Sequence, residues 1–232
     1  MMNGKTGQNE EGWAEVSMKK NKPNGNRTPK YPYIDVVSST SKRGDVGNSQ
    51  PFMVLLVGLP GSGKSTFAQS LVQSMPNKFS RINQDELKTR KKCEKKLKRV
   101  LGFPSSSASQ QAQQQRFCPI IDRCNFDQSQ RSKWYQLAKE APRQSSMGVP
   151  VDVVVLDVPF DECLKRCESR KGHEMIKSPK QAREVMQQFR RQWSPPHLQR
   201  NKNEENMYRS LTVVRTNQER KQCLVQLLNQ TH

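Results

Sequence analysis

From residue 51 onward, short apolar runs alternate with longer amphipathic stretches. Phe52 to Val57, Phe79 to Asn83, Cys118 to Asp122, Val151 to Val158 and Leu211 to Arg215 read as five strands. Helical periodicity marks 64–75, 86–101, 127–141, 160–171, 179–192 and 217–229. Strands that are apolar on both faces and alternate with helices predict a parallel sheet covered on both sides, an α/β fold. Residues 1–50 hold Gly, Asn, Ser, Lys and Pro in no period. Such a segment cannot bury enough apolar area to offset the entropy of ordering it, which predicts a disordered basic tail before a domain at 51–232. Within that domain the Ser/Gln-rich stretch 102–116 interrupts the order and reads as a mobile insert.

Charge sharpens this division. The chain carries 40 Lys plus Arg against 21 Asp plus Glu, a net +19, and residues 1–50 hold eight basic and five acidic side chains. Only +3 therefore belongs to the tail, and the folded part is itself basic. A basic surface of fixed geometry suits an extended polyanion. The longest apolar run, Phe52 to Val57, falls far short of the roughly 20 residues a bilayer crossing requires, so no membrane association is expected. The six cysteines, Cys93, Cys118, Cys124, Cys163, Cys167 and Cys223, form no CxxC pair and no secretory leader is evident. A reducing compartment, nuclear or cytoplasmic, follows as the expectation.

The first apolar run leads into FMVLLVGLPGSGKSTFAQSLV, where Gly58, Gly63, Lys64 and Ser65 complete G-x-x-x-x-G-K-S between a strand and a helix. Glycines let backbone N–H groups wrap phosphate oxygens, with the helix N-terminus behind them. Gly58, Pro60, Gly61, Ser62, Gly63, Lys64, Ser65 and Thr66 are the expected nucleotide contacts, and the fold becomes that of a P-loop NTPase. Lys64 is placed to reach the β and γ phosphates of ATP, and the Ser65 hydroxyl to ligate Mg²⁺. No D-x-x-G follows at a strand end, and the string from Asn201 to Glu204 fails as a guanine-recognition motif, which disfavours a GTPase. The further motifs of an AAA+ motor or helicase are not found. A compact phosphotransferase remains.

Ligands of an open parallel sheet sit beyond the C-terminal ends of its strands. Asp85, Asp122 and Asp157 lie there. Asp122 ends an apolar run in the Walker-B pattern and is suited to hold Mg²⁺, with a turn or helix cap as the lesser alternative. Asp85 can act as general base toward an attacking hydroxyl or cap the helix that follows it. That helix is cationic around most of its circumference, through Lys88, Arg90, Lys91, Lys92, Lys95, Lys96, Lys98 and Arg99, as a solvated face or a polyanion contact. Arg166 and Arg170, four apart, are placed to neutralise charge developing between phosphates. His173 reads as a phosphate-orienting or a partly buried polar residue. Cys163 and Cys167 share a helix face and read as core.

The strings GLPGSGKS, INQDELK, IIDRCNFDQSQRSKW and RCESRKGH resemble, in this order, those of polynucleotide 5′-hydroxyl kinases, in particular the P-loop kinase modules attached to aprataxin-like repair proteins. The resemblance covers about residues 52 to 220. It implies a five-stranded sheet with a helical lid, Asp85 as the general base, and Lys88 where the family often has an Arg on the acceptor's phosphate. It also implies Asp122, Arg123 and Asn125 on the acceptor and metal side, with Arg166 and Arg170 as lid arginines. ATP and Mg²⁺ are the implied cofactors, 5′ ends of DNA or RNA the implied partner, and a monomer the implied state. The chain lacks the D-x-D-x-T of a phosphatase and the H-x-H-x-H of an aprataxin-type hydrolase. A small-molecule kinase of the same fold, or a nucleic-acid-binding ATPase or adaptor without transfer activity, are the competing functions.

Overall fold

Five strands form one sheet, each paired in parallel with its neighbours in the order β2-β3-β1-β4-β5. They are β1 (Met53–Val57), β2 (Phe79–Asn83), β3 (Cys118–Asp122), β4 (Val151–Leu156) and β5 (Ser210–Val214). The structure, a computed structural model, describes residues 51–104, 117–142, 148–170, 178–194, 196 and 207–231. The expected tail, most of the insert, His173 and the Asn201–Glu204 string lie outside the described residues.

Parallel neighbours require a crossover, and helices supply it. They are α1 (Lys64–Ser74), α2 (Gln84–Leu87), α3 (Arg90–Val100), α4 (Gln128–Lys139), α5 (Phe160–Ser169), α6 (Pro179–Gln192) and α7 (Asn217–Asn229). Every residue of β1, β3 and β4 is buried, as the uninterrupted apolar runs require for a sheet covered on both faces. Alternation along β1 divides the core. Met53, Leu55 and Val57 pack with Cys93 and Leu97 of α3 and with Trp134 and Leu137 of α4. Val54 and Leu56 face the other way, onto Phe67 and Leu71 of α1 and Leu227 of α7. The expected α/β sandwich is therefore present. Among the described residues no helix is long and apolar enough to cross a membrane.

Three expected boundaries move. The helix predicted over 86–101 is two helices, because Asn83 caps α2 by accepting from the Glu86 N–H and Thr89 caps α3 by accepting from the Lys92 N–H. Lys88 between them takes φ 68, a left-handed value uncommon for a residue with a side chain. Gly102 and Phe103, read as the start of the insert, are packed instead: Gly102, at φ 81, turns the chain so that Phe103 N–H returns to the Lys98 carbonyl and its ring packs on the core. The fourth strand stops at Leu156 rather than Val158.

Helix α7 is held at its start by a reciprocal box, in which the Thr216 side chain accepts from the Glu219 N–H and the Glu219 carboxylate accepts from the Thr216 N–H. The Glu219 carboxylate also accepts the Arg215 N–H, and these backbone donors hold its pKa below the ordinary 4.5. A depressed acid contributes stability that is present above its unfolded pKa and lost as pH falls through its folded one. Thr216→Ala is expected to lower unfolding free energy by about 1 kcal/mol at pH 7. Glu219→Gln should flatten the acid limb of stability against pH, both read from urea melts across that range.

Candidate active site

The β1–α1 turn is built from glycines that are each required for a different reason. Gly61 and Gly63 hold φ 81 and 93, where only glycine is unstrained. A Cβ on Gly61 would stand 2.4 Å from the Cys163 carbonyl oxygen, so the loop touches α5 backbone to backbone. On Gly58 it would meet the Ser62 Oγ at 2.6 Å, and on Gly63 the Arg220 Nη2 at 3.0 Å. Inside this curl the Lys64 ammonium is 7% exposed and donates to the Gly58 carbonyl (3.0 Å), the Leu59 carbonyl (2.7 Å) and the Ser62 Oγ (3.4 Å). Pro60 lies half-buried at the outer bend, Ser62 is buried, and Thr66 is exposed on the first turn of α1. Gly63, the N-cap, offers no side chain to the helix's first N–H groups. Those donors and the lysine make the turn an anion site.

Asp122, at the end of β3, is 3% exposed and caps no helix; Asp127 performs that task for α4. Its Oδ1 accepts from the Ser65 Oγ at 3.3 Å. Its Oδ2 accepts from Arg81 Nε and from Asn83 Nδ2, both at 2.8 Å. Arg81 also pairs with Glu86. The fit to Mg²⁺ follows from this donor set. Mg²⁺ keeps several waters and takes one or two protein oxygens together with phosphates. Ser65 Oγ and Asp122 Oδ1 converge as such a pair. Among the described residues no group of three His, Cys, Asp or Glu converges to make an all-protein cage.

Asp85 sits in the first turn of α2, two residues beyond the Asn83 that lies beside Asp122 in the sheet register. It is not the cap, since Asn83 is. Its carboxylate is exposed and makes no hydrogen bond or ion pair among the described residues. Burial raises the pKa of the Cys124 thiol, two residues beyond Asp122.

Other expected residues are placed differently. Asn125 is fully buried at φ 46, and its amide is engaged inside the fold, donating to the Leu56 carbonyl (2.7 Å) and accepting from Trp134 Nε1 (3.0 Å). It is a strut that fixes the β3–α4 loop to β1, which corrects its expected place on the acceptor. Arg123 lies over the Trp134 ring, 5.5 Å from its centroid, and its Nη1 is buried without a hydrogen-bond partner. Burial lowers the pKa of this guanidinium. Lys88, at the C-cap of α2, is exposed. Asp157 pairs with Arg215 at 2.9 Å, joining the ends of β4 and β5.

On α5, Arg166 donates to the Gly61 carbonyl at 3.1 Å and pairs with Glu162, so it reaches the loop. Arg170 is exposed at the helix C-cap, with φ −74 and ψ 112, so it leaves the helical face it was expected to share. Burial raises the pKa of Cys163 to about 12 and that of Cys167 upward, which leaves both as inert packing beneath the loop, as expected. Two residues went unsuspected in the sequence. Arg81, a charge on a mostly covered strand, signals a carboxylate partner. Arg220 has no local signal, because it meets the loop only through the fold.

Residues 53–196 match the family described as an AAA domain, more than half of the chain, and the chain belongs to that family. The matched region is the P-loop core from β1 through α6. The chain is 33% identical over 130 residues to "Transcription factor bHLH140" of Arabidopsis thaliana, covering 56% of this chain and 13% of that protein. It is 36% identical over 88 residues to "Bifunctional polynucleotide phosphatase/kinase" of Schizosaccharomyces pombe, covering 38% of this chain and 18% of that protein. The chain thus spans under a fifth of the length of either relative. Among solved structures, a fungal RNA kinase superposes with a TM-score of 0.56 at 15% identity, over 78% of this chain and 87% of that one. The fold is that of P-loop phosphotransferases, and the likeness to polynucleotide kinases read from the motifs is borne out.

The loop geometry orders two substitutions. Gly61→Ala forces a side chain to φ 81 against immovable backbone and is expected to cost about 2–4 kcal/mol, adding left-handed strain to overpacking. Gly63→Ala meets only the mobile end of Arg220 and should cost about half as much. Thermal unfolding of the two variants checks the order.

Proposed function

We propose that this protein is a Mg²⁺-dependent kinase that transfers the γ-phosphate of ATP to the 5′-hydroxyl of DNA or RNA. The observation that carries the reading is the uncommitted, exposed carboxylate of Asp85 on α2, which directly follows β2, the strand paired with β3 whose terminal Asp122 meets Ser65 of the phosphate-binding turn. An acceptor hydroxyl delivered to Asp85 gives up its proton to the carboxylate as its oxygen attacks the γ-phosphorus. The new O–P bond forms as the bond from phosphorus to the β-bridging oxygen breaks, and ADP leaves. Lys64 and the α1 N–H groups hold the phosphates, while Arg166 of α5, which reaches the loop at Gly61, supplies further positive charge, with Arg170 exposed at the C-cap of that helix. A magnesium ion would be held by Ser65 and Asp122 and would neutralise phosphate charge there.

Nucleic acid as acceptor is supported by what flanks Asp85. Lys92, Lys95, Lys98 and Arg99 of α3 are exposed, and Lys88 lies between them and Asp85 along the chain. Part of the cationic run is structural instead, since Lys96 Nζ donates to the Arg81 carbonyl (2.7 Å) and Arg90 pairs with Glu94 (3.0 Å). The named activity of the fission-yeast relative and the fold of the fungal RNA kinase point the same way.

Labelled γ-phosphate should pass to 5′-hydroxyl oligonucleotides but not to small polyols or sugars. Asp85→Asn is expected to lower kcat by at least about 100-fold with ATP affinity retained. Full transfer by that variant would remove Asp85 from the base role. Log affinity for a single strand should fall with log salt, and Lys92→Gln with Lys95→Gln should shallow the slope by about 1.4. An unchanged slope would exclude that face of α3 from the interface.

A further inference from the structure

Arg220 is the only residue of α7 placed by the described contacts against the phosphate-binding turn. Its Nη2 donates to the Ser62 carbonyl at 3.4 Å, the outer limit of a hydrogen bond. Both terminal nitrogens face Gly63, at 3.0 and 3.4 Å from where a Cβ would stand, and Nε is buried with no hydrogen-bond partner. No carboxylate pairs with this guanidinium among the described residues; adjacent Glu219 is taken by the backbone N–H groups of Arg215 and Thr216. A guanidinium carries five N–H donors, and one long bond leaves most of them available.

Its position in the sheet says what it faces. The acids of the acceptor side stand at the ends of β2 and β3, on one flank of β1. Helix α7 follows β5, the edge strand on the other flank, and packs against α1. In phosphoryl transfer the attacking and leaving oxygens are roughly in line through phosphorus, so the rest of the donor nucleotide lies away from the acceptor. We propose that Arg220 is a donor-nucleotide ligand, whose guanidinium binds the α-phosphate of ATP or ADP at the Gly63 edge of the loop. This rests on the kinase reading for the direction of the nucleotide. Gly63 then has a second purpose, because any side chain there would push the guanidinium away.

The test is calorimetry of the full chain with ADP and Mg²⁺, alongside unliganded Tm. Arg220→Gln is expected to weaken ADP binding by about tenfold or more. Arg220→Lys should recover part of that loss, since the charge remains without the fork. Lys221→Gln removes an equal charge from an exposed neighbour on the same helix and should leave affinity unchanged. In transfer assays Arg220→Gln should raise the KM for ATP with kcat little changed, as for a contact made equally in ground and transition states. Wild-type affinity in Arg220→Gln overturns the proposal. So does a fall in affinity that comes with a matching fall in unliganded Tm, because that marks a prop for the loop. If the wild type binds ADP through Arg220 yet phosphorylates no oligonucleotide, the acceptor reading fails and the role of Arg220 stands. If the wild type binds no ADP, both fail.

Discussion

A buried carboxylate with four hydrogen bonds or ion-pair contacts holds the two halves of the site in register. Asp122 closes β3 at 3% exposure, with one oxygen on Ser65 of α1 and the other on Arg81 and Asn83 of β2. An unpaired charge at that depth costs several kcal/mol, so the pairing is obligatory for folding as well as for chemistry. Arg81 and Asn83 immobilise one oxygen, which directs the other at the Ser65 hydroxyl. Asn83 is shared, because its side chain also caps α2 and thereby sets where Asp85 stands. One residue's amide therefore couples the metal side to the proposed base.

The placing of the loop follows from topology. Strand β1 lies at the centre, with β3 and β2 on one flank and β5 beyond β4 on the other. Chains leaving neighbouring strands diverge at such a point and leave a crevice past their C-terminal ends. The turn that fills the crevice is squeezed by α5 at Gly61 and by Arg220 of α7 at Gly63, so its shape is imposed from outside as well as by its own glycines. The Lys64 ammonium completes it from within, tied to the carbonyls at residues 58 and 59. Such a preformed anion site needs little rearrangement when charge arrives, which is where electrostatic catalysis gains its advantage.

Local chemistry was legible in the sequence, and long-range pairing was not. All five strands were readable because a two-sided sheet demands apolar runs, and the loop was readable because no other turn needs that glycine spacing. The break at Lys88 escaped because Asn83 and Thr89 are ordinary residues inside a stretch whose lysines imitate one continuous polar helix. Asn83 followed three residues later by Glu86 was the available signal. Asn125 was misplaced for a different reason. A D-x-x-N spacing fixes where the amide starts but not where it turns, and the buried Trp134 indole decides that it turns inward. Arg220 could not be seen at all, since 158 residues separate it from Ser62.

The same distinction bears on the basic balance of the chain. A net +19 invites a count of phosphate contacts, but many of the folded domain's arginines are structural. Arg131 is wholly buried, donating to the carbonyls of Asn125 and Ser194, and Arg209 is joined to Asp152 between β4 and β5. Arg81 and Arg215 are likewise committed to Asp122 and Asp157. Arginines paired with a carboxylate, Arg81, Arg209 and Arg215, add little field at a distance because the partner's charge cancels theirs. The exposed lysines of α3, which follow Asp85 in the chain, are the part of that charge open to a polyanion in the proposed reading. Net charge can steer association toward that helix at low salt, whereas the number of counterions released is set by the few lysines that meet phosphates. A modest salt slope on so basic a chain would accordingly be consistent with a real but small footprint beside the proposed base.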